Sequence, residues 1–276
     1  MKEAAADPFG ENGRARAHAR VNVLGGDFDV ACSDAELREL VLEAFGGLPK
    51  HQLGRRPHRF RVSLVTTDHA RTWAPRSVPP RPVLRAGAGL LSATVDAGNF
   101  AVVDAAMSRA LICVSKAMLR HRYHARYELV ELAFLTLAAR AQSLVPLHAA
   151  CVGANGNGVL LMGASGTGKS TLSLHALAGG LQLLSEDSAF VALARLRVTG
   201  VPSYLHVSPD TLRFLHSKRL RRAIERSPTI ERRSGALKLA VDLRKLEGNL
   251  ARVPLHLAAI VFLSRRAAVG EPALRP

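Results

Sequence analysis

Residues 159–177 read VLLMGASGTGKSTLSLHAL, and the fold is decided by this stretch. The apolar run 159–162 has the composition of a short strand, and 170–177 has that of a helix. Between them Gly163, Ala164, Ser165, Gly166, Thr167, Gly168, Lys169 and Ser170 match the spacing GxxxxGK[ST]. Each part has a physical reason. Gly163, Gly166 and Gly168 permit backbone angles that turn several N–H groups inward. The helix start adds the positive end of its dipole. Lys169 brings a point charge for β- and γ-phosphates, and the Ser170 hydroxyl offers a ligand for Mg²⁺. Residues 163–171, with Thr171 in the first helical turn, are therefore expected to hold the phosphates of a nucleoside triphosphate.

Phosphoryl transfer needs more than binding; it needs further metal anchoring and a base. The next apolar run, 181–184, ends at Ser185-Glu186-Asp187, eighteen residues after Lys169. Acidic side chains at the carboxyl end of a strand neighbouring the loop would face the phosphates. The residues beyond 145 include only eight Asp/Glu, so an acidic pair on an apolar segment stands out there. Upstream, 148–153 and 159–162 flank Asn155-Gly156-Asn157-Gly158 and read as a hairpin. A domain boundary is placed near residue 145.

Residues 1–20 read as a flexible basic leader, and 21–145 as a smaller accessory α+β domain. Within it, 34–45 is an expected helix with Ser33 as cap and Gly46-Gly47 as stop. The segment 60–66 alternates as a strand, and 74–82 is a proline-rich loop. Short strands are expected around a Gly98-Asn99 turn. A helix is expected over 127–142 with a stripe of Leu129, Leu132, Ala133, Leu137 and Ala141. Residues 255–263 read as a buried strand.

The formal charge of +16 favours an anionic partner, though abundant Arg and Ala throughout the chain suit a general compositional habit equally well. Eleven Lys/Arg against three Asp/Glu fall between residues 213 and 245. Lys218, Arg219, Arg221, Arg222, Arg226, Arg232 and Arg233 suit a solvated helix face, with a grip on an acidic acceptor as the alternative; Lys238 is a candidate phosphate contact. Aromatic residues are 5% and do not interleave with the basic ones, so nucleic acid is not an expected partner. Cys32, Cys113 and Cys151 are widely spaced, which fits a reducing cytoplasm, and Cys151 reads as a buried thiol. No apolar run approaches a membrane span. His121 and His124 read as part of an exposed basic face rather than a metal site.

Together, His148 in PLHAACV, the GASGTGKS loop and Ser185-Glu186-Asp187 resemble, in order and spacing, the catalytic domain of HPr kinase/phosphorylase and its related kinases. The likeness extends over about residues 146–265, taking in SPDTLR at 208–213 and LKLAVDL at 237–243. The resemblance implies an α/β phosphate-loop kinase core akin to phosphoenolpyruvate carboxykinase, with ATP and Mg²⁺ as cofactors. It implies that Asp187 or Glu186 is the base and helps Ser170 hold the metal, with Lys169 and His148 in the site. Asp210 falls near a further family acid. The pair begins with Glu rather than the family's Asp. The glycine-rich HPr-recognition segment is absent from 198–230, so the expected acceptor is another hydroxyl, on a peptide, a protein serine or a small molecule. A homo-oligomer is admitted by the resemblance. A nucleotide hydrolase, or a binding module regulated by nucleotide, is the alternative reading.

Overall fold

The computed structural model describes residues 15–69, 73, 74, 77–246 and 250–264. The chain divides into two compact units, Met1–Val145 and Pro146–Pro276. Both are mixed α/β, each with a seven-stranded sheet.

The first unit runs β1 (Ala17–Val23), β2 (Gly26–Cys32), α1 (Ala35–Phe45), β3 (Arg59–Thr67), β4 (Val83–Gly87), β5 (Leu90–Asp96), β6 (Asn99–Asp104) and β7 (Arg109–Ser115). It continues through α2 (Lys116–Leu119), α3 (Arg122–His124), a π-helix (Ala125–Glu131) and α4 (Leu132–Ala141). Its sheet order is β1-β2-β3-β7-β6-β5-β4. Alternation decides which face is covered: Phe28, Val30 and Cys32 on β2, and Phe60, Val62 and Leu64 on β3, are buried, while Asp29 and Arg61 point outward. Phe28 stacks on Phe134 with centroids 4.7 Å apart and lies 4.6 Å from Phe60; Phe134 in turn meets Phe45 at 4.9 Å. Buried rings of this kind contribute about 1.5–3 kcal/mol each, the stacking geometry adding to it.

Several expectations for this unit change. The flexible leader is too long, because residues 17–20 belong to β1; residues 1–14 lie outside the described residues. The domain is no small appendage, since its sheet has as many strands as the second unit's. Asp34, not Ser33, caps α1: its Oδ1 accepts from the Leu37 amide at 3.0 Å, while Ser33 Oγ donates to Asp34 Oδ2 at 3.0 Å. The Gly98-Asn99 turn sits one residue earlier, for Asn99 opens β6 and is buried, its Oδ1 taking the Ser115 amide at 2.7 Å. The helix expected over 127–142 begins as the π-helix and becomes α-helical at Leu132. The wider π turn rotates the stripe, so Leu129, Ala133, Phe134, Leu137 and Ala138 are buried while Leu132 and Ala141 are only partly covered. His124 is buried rather than exposed, its Nδ1 3.1 Å from Glu128 Oε1. Among the described residues no group of three or more His, Cys, Asp or Glu side chains is arranged to hold a metal.

The second unit begins with β8 (Val145–Leu147), β9 (Ala149–Ala154), β10 (Asn157–Met162), α5 (Lys169–Ala178), β11 (Gln182–Ser185) and β12 (Ala189–Ala192). There follow β13 (Arg197–Gly200), β14 (Tyr204–Val207), a 3₁₀ helix (Pro209–Phe214), α6 (Lys218–Glu225), β15 (Thr229–Glu231), β16 (Leu237–Asp242) and β17 (Leu255–Phe262). The large sheet has the order β11-β9-β10-β17-β13-β12-β8, and β14-β16-β15 form a small sheet. The hairpin expected between β9 and β10 is present in antiparallel register, Leu160 opposite Cys151. Strand alternation gives β9 and β10 two apolar faces. Ala150, Val152 and Leu161 pack with Leu174 and Leu177 of α5 and with Leu205, Val207 and Val241 of the small sheet. Ala149, Cys151 and Leu160 pack with Leu184, Val191 and Leu255.

Two corrections concern position. β11 lies beside β9, not beside β10, so the acidic pair is one strand further from the loop than expected. Its register against β9 skips Leu184, with Leu183 opposite Val152 and Ser185 opposite Cys151. β17 joins β10 and β13 but is not a buried strand, for Ile260 is 44% and Phe262 75% exposed. It pairs with β10 along most of its length but with β13 only at Leu255 and His256. No helix among the described residues is long and apolar enough to cross a membrane.

Candidate functional site

β10 ends at Met162, whose carbonyl accepts from the Leu263 amide at 2.7 Å, and the chain turns at once into the glycine loop. Gly163 is irreplaceable there: a Cβ would stand 2.8 Å from the Leu263 carbonyl oxygen and 2.7 Å from Thr167 Oγ1. Thr167 Oγ1 donates to the Ala164 carbonyl at 2.8 Å and closes the turn. Gly168 forms the N-cap of α5 at φ +110°, a conformation that favours glycine, and no side chain caps the helix. The amides of that first turn are thus left to a ligand or to water. Lys169 is buried and folds back over the loop, its Nζ donating to the carbonyls of Gly163 at 2.7 Å and Ala164 at 3.3 Å.

The acidic pair approaches the same helix start. Ser170 Oγ donates to Glu186 Oε1 at 2.6 Å, and Glu186 Oε2 lies 3.4 Å from His206 Nδ1. Burial pushes the Glu186 carboxyl up, but His206, Ser170 and Arg232 outweigh burial and hold it below the usual carboxylate range. Asp187 takes a different set of neighbours. Its Oδ1 lies 3.3 Å from His148 Nδ1, its main-chain carbonyl 3.1 Å from the same nitrogen, and its Oδ2 3.8 Å from an Arg232 nitrogen. Side-chain exposure separates the two acids, 8% for Glu186 and 27% for Asp187.

These groups line one cavity of about 560 Å³. Of the residues singled out in the sequence, His148, Ser165, Gly166, Gly168, Lys169, Ser170, Thr171, Glu186 and Asp187 all face it. Gly163, Ala164 and Thr167 stand behind that lining and act through the loop's own hydrogen bonds. Asp210 and Lys238 line the cavity too. Arg232 does so as well and thereby leaves the solvated set, whereas Lys218 and Arg222 remain exposed on α6 and Arg221 donates to the Leu215 carbonyl at 2.8 Å.

No model of a known protein family matches this sequence, and no curated protein matches it either.

Sequence reasoning missed His206, Thr211 and Phe214 as pocket residues. His206 carried a faint signal, a single imidazole within the apolar strand YLHV. Its partner Glu186 comes from the other sheet, which no local pattern announces. Thr211 Oγ1 lies 3.4 Å from Thr171 Oγ1 and ties the 3₁₀ helix to the start of α5. Cys151, close in sequence to His148, is fully buried with its thiol pushed up to about 12 by burial, which leaves it no part as a nucleophile.

Proposed function

We propose that residues 146–276 form a phosphate-loop kinase core, similar to that of HPr kinase/phosphorylase, which passes the γ-phosphoryl group of ATP to a hydroxyl acceptor. The observation that carries this reading is the meeting of Ser170 Oγ and Glu186 Oε1 at 2.6 Å beside the uncapped start of α5. A strand, a glycine loop, a buried lysine and a hydroxyl–carboxylate pair converge on one cavity there.

The triphosphate would lie against the first-turn amides of α5, and the Lys169 ammonium would exchange the Gly163 and Ala164 carbonyls for phosphate oxygens. The donors beside it fit a hard divalent cation, being all oxygen: the Ser170 hydroxyl and the Glu186 carboxylate, with Asp187 adjacent. Mg²⁺ held there would neutralise charge building on the phosphate oxygens. Glu186 is engaged by Ser170 and His206 and nearly closed to solvent, so Asp187 is the acid that can meet an acceptor. In the transfer, Asp187 takes the proton of the acceptor hydroxyl as that oxygen bonds to the γ-phosphorus. The bond from the γ-phosphorus to the β–γ bridging oxygen breaks, and ADP leaves with the electron pair. His148 and Arg232 position the Asp187 carboxylate, and Arg232 is placed to offset charge on the moving group.

The test is a transfer assay on the full chain with γ-labelled ATP and Mg²⁺, presented with serine-containing peptides and small alcohols. Label on an acceptor, lost in Asp187→Asn, is the expected result. Label released only as free phosphate would convert the reading to hydrolysis, and the absence of any calorimetric signal with Mg²⁺ and a non-hydrolysable ATP analogue would end it.

A further inference from the structure

We infer that Arg213 and Phe214 form the shelf on which the purine of the nucleotide stacks. This rests on the phosphate-binding reading above and extends it to the base. Among the described residues Phe214 is the one phenyl ring lining the cavity, in a wall that is otherwise almost wholly polar or glycine. The ring is 50% exposed, an apolar surface left in contact with water. The Arg213 guanidinium carbon stands 4.8 Å over its centroid, so the cation already covers one face of the ring and brings positive charge beside it.

The shelf is held from both sides. Thr211, buried, reaches Thr171 in the first turn of α5 at 3.4 Å. Leu215, 3% exposed, is plugged into the core with its amide on the Leu212 carbonyl at 3.1 Å. Phe214 therefore sits between two anchors and is tied to the helix that would grip the phosphates. Direction follows from chemistry. The γ-phosphoryl must lie by Asp187, where the acceptor hydroxyl loses its proton, so the nucleoside end runs away from that acid. The imidazoles in the wall are committed to the acids, His206 to Glu186 and His148 to Asp187. Phe214 remains as the face for a planar base. The shelf thus suits the planar base of a nucleoside triphosphate, the wider purine covering more of the phenyl face than a pyrimidine.

The experiment compares two probes by calorimetry with Mg²⁺: a non-hydrolysable ATP analogue and inorganic tripolyphosphate, which has no base. Wild type should bind the nucleotide more tightly than tripolyphosphate. Phe214→Ala should weaken the nucleotide about ten-fold, as loss of a stacking partner does, and leave tripolyphosphate unchanged. Phe214→Leu, which keeps an apolar cover without a π-face, should also weaken the nucleotide, and Phe214→Tyr should restore it. Nucleotide affinity unchanged in Phe214→Ala overturns the shelf while the phosphate reading stands. An equal loss for both probes overturns it too, since that would place Phe214 with the phosphates. Wild type binding neither probe removes the phosphate reading, and the shelf with it.

Discussion

The two units both bury charge, but they dispose of it differently. In the first, buried polar groups are closed off inside the core: Arg126 pairs with Glu131 on its own helix and lies 3.5 Å from Glu43 of α1, and His124 lies against Glu128 one turn on. In the second, Lys169 and Glu186 are equally buried but face a cavity, and their partners come from a loop, a helix start and a strand of another sheet. Burying a charge costs several kcal/mol unless it is well partnered. A charge closed off by partners within the core, away from any cavity, is structural. A charge kept at the wall of a cavity by groups that can exchange it for a ligand is a working part.

The largest effect should come from the second unit. Asp187→Asn removes the proposed proton acceptor and should cut phosphoryl transfer by about 10²–10⁴-fold. Affinity for the ATP analogue should stay within about three-fold of wild type, because the neutral amide keeps the shape of the site. Label transfer and calorimetry on the same preparation decide it, and near-normal transfer would assign the base elsewhere.

The converse belongs to the first unit. Phe134→Ala empties the centre of the aromatic stack and should cost about 3–5 kcal/mol in chemical denaturation, with nucleotide affinity of the folded protein unchanged. A matching loss of affinity would mean that the contrast between packing and chemistry is false.

How much of this contrast could be read from residues alone depends on the range of the interactions. The strand–loop–helix around Lys169 and the β9–β10 hairpin are written in local signals, a glycine pattern and an Asn-Gly turn, and both are present in the structure. The acidic pair was visible as a lone polar break in an apolar run. What escaped was everything set by distant partners: that β9 intervenes between the loop and the acids, that His206 braces Glu186, and that β17 pairs on both edges yet exposes Phe262. The π-helix escaped for another reason. Its apolar stripe has nearly α-helical spacing, and only the shift from Leu132 to Phe134 betrays the extra residue in the turn.

A smaller effect sharpens the first unit's side. Burial pushes the Asp34 carboxyl up, but hydrogen bonds from Thr66, from the Leu37 and Glu36 amides and from Ser33 more than offset it, and hold the group below 3.8. Because the folded value is depressed, the stabilisation is full above 3.8 and drains away as pH falls through the folded value. Asp34→Ala should cost about 1 kcal/mol at neutral pH through loss of the cap. Asp34→Asn keeps a cap without a titrating group, so its stability relative to wild type should improve as the solution is acidified. Thermal unfolding across that range tests the sign.

The smallest effect is an absence. Burial pushes Cys32 and Cys113 up to about 11 and Cys151 up to about 12, so thiol reagents should modify none of the three in the native protein and all three in denaturant. A fast-reacting native thiol would show that one unit opens far more readily than its packing implies.

Leu184 carries a consequence out of proportion to its size. Leu184 and Ser185 together stand opposite one residue of β9, so the alternation breaks at the last residue of β11. Glu186 is the next residue, and it reaches Ser170 from just past that break. Deleting Leu184 would alter no charged group, yet it would shorten the chain leading to Glu186 by one residue and should pull the carboxylate off Ser170.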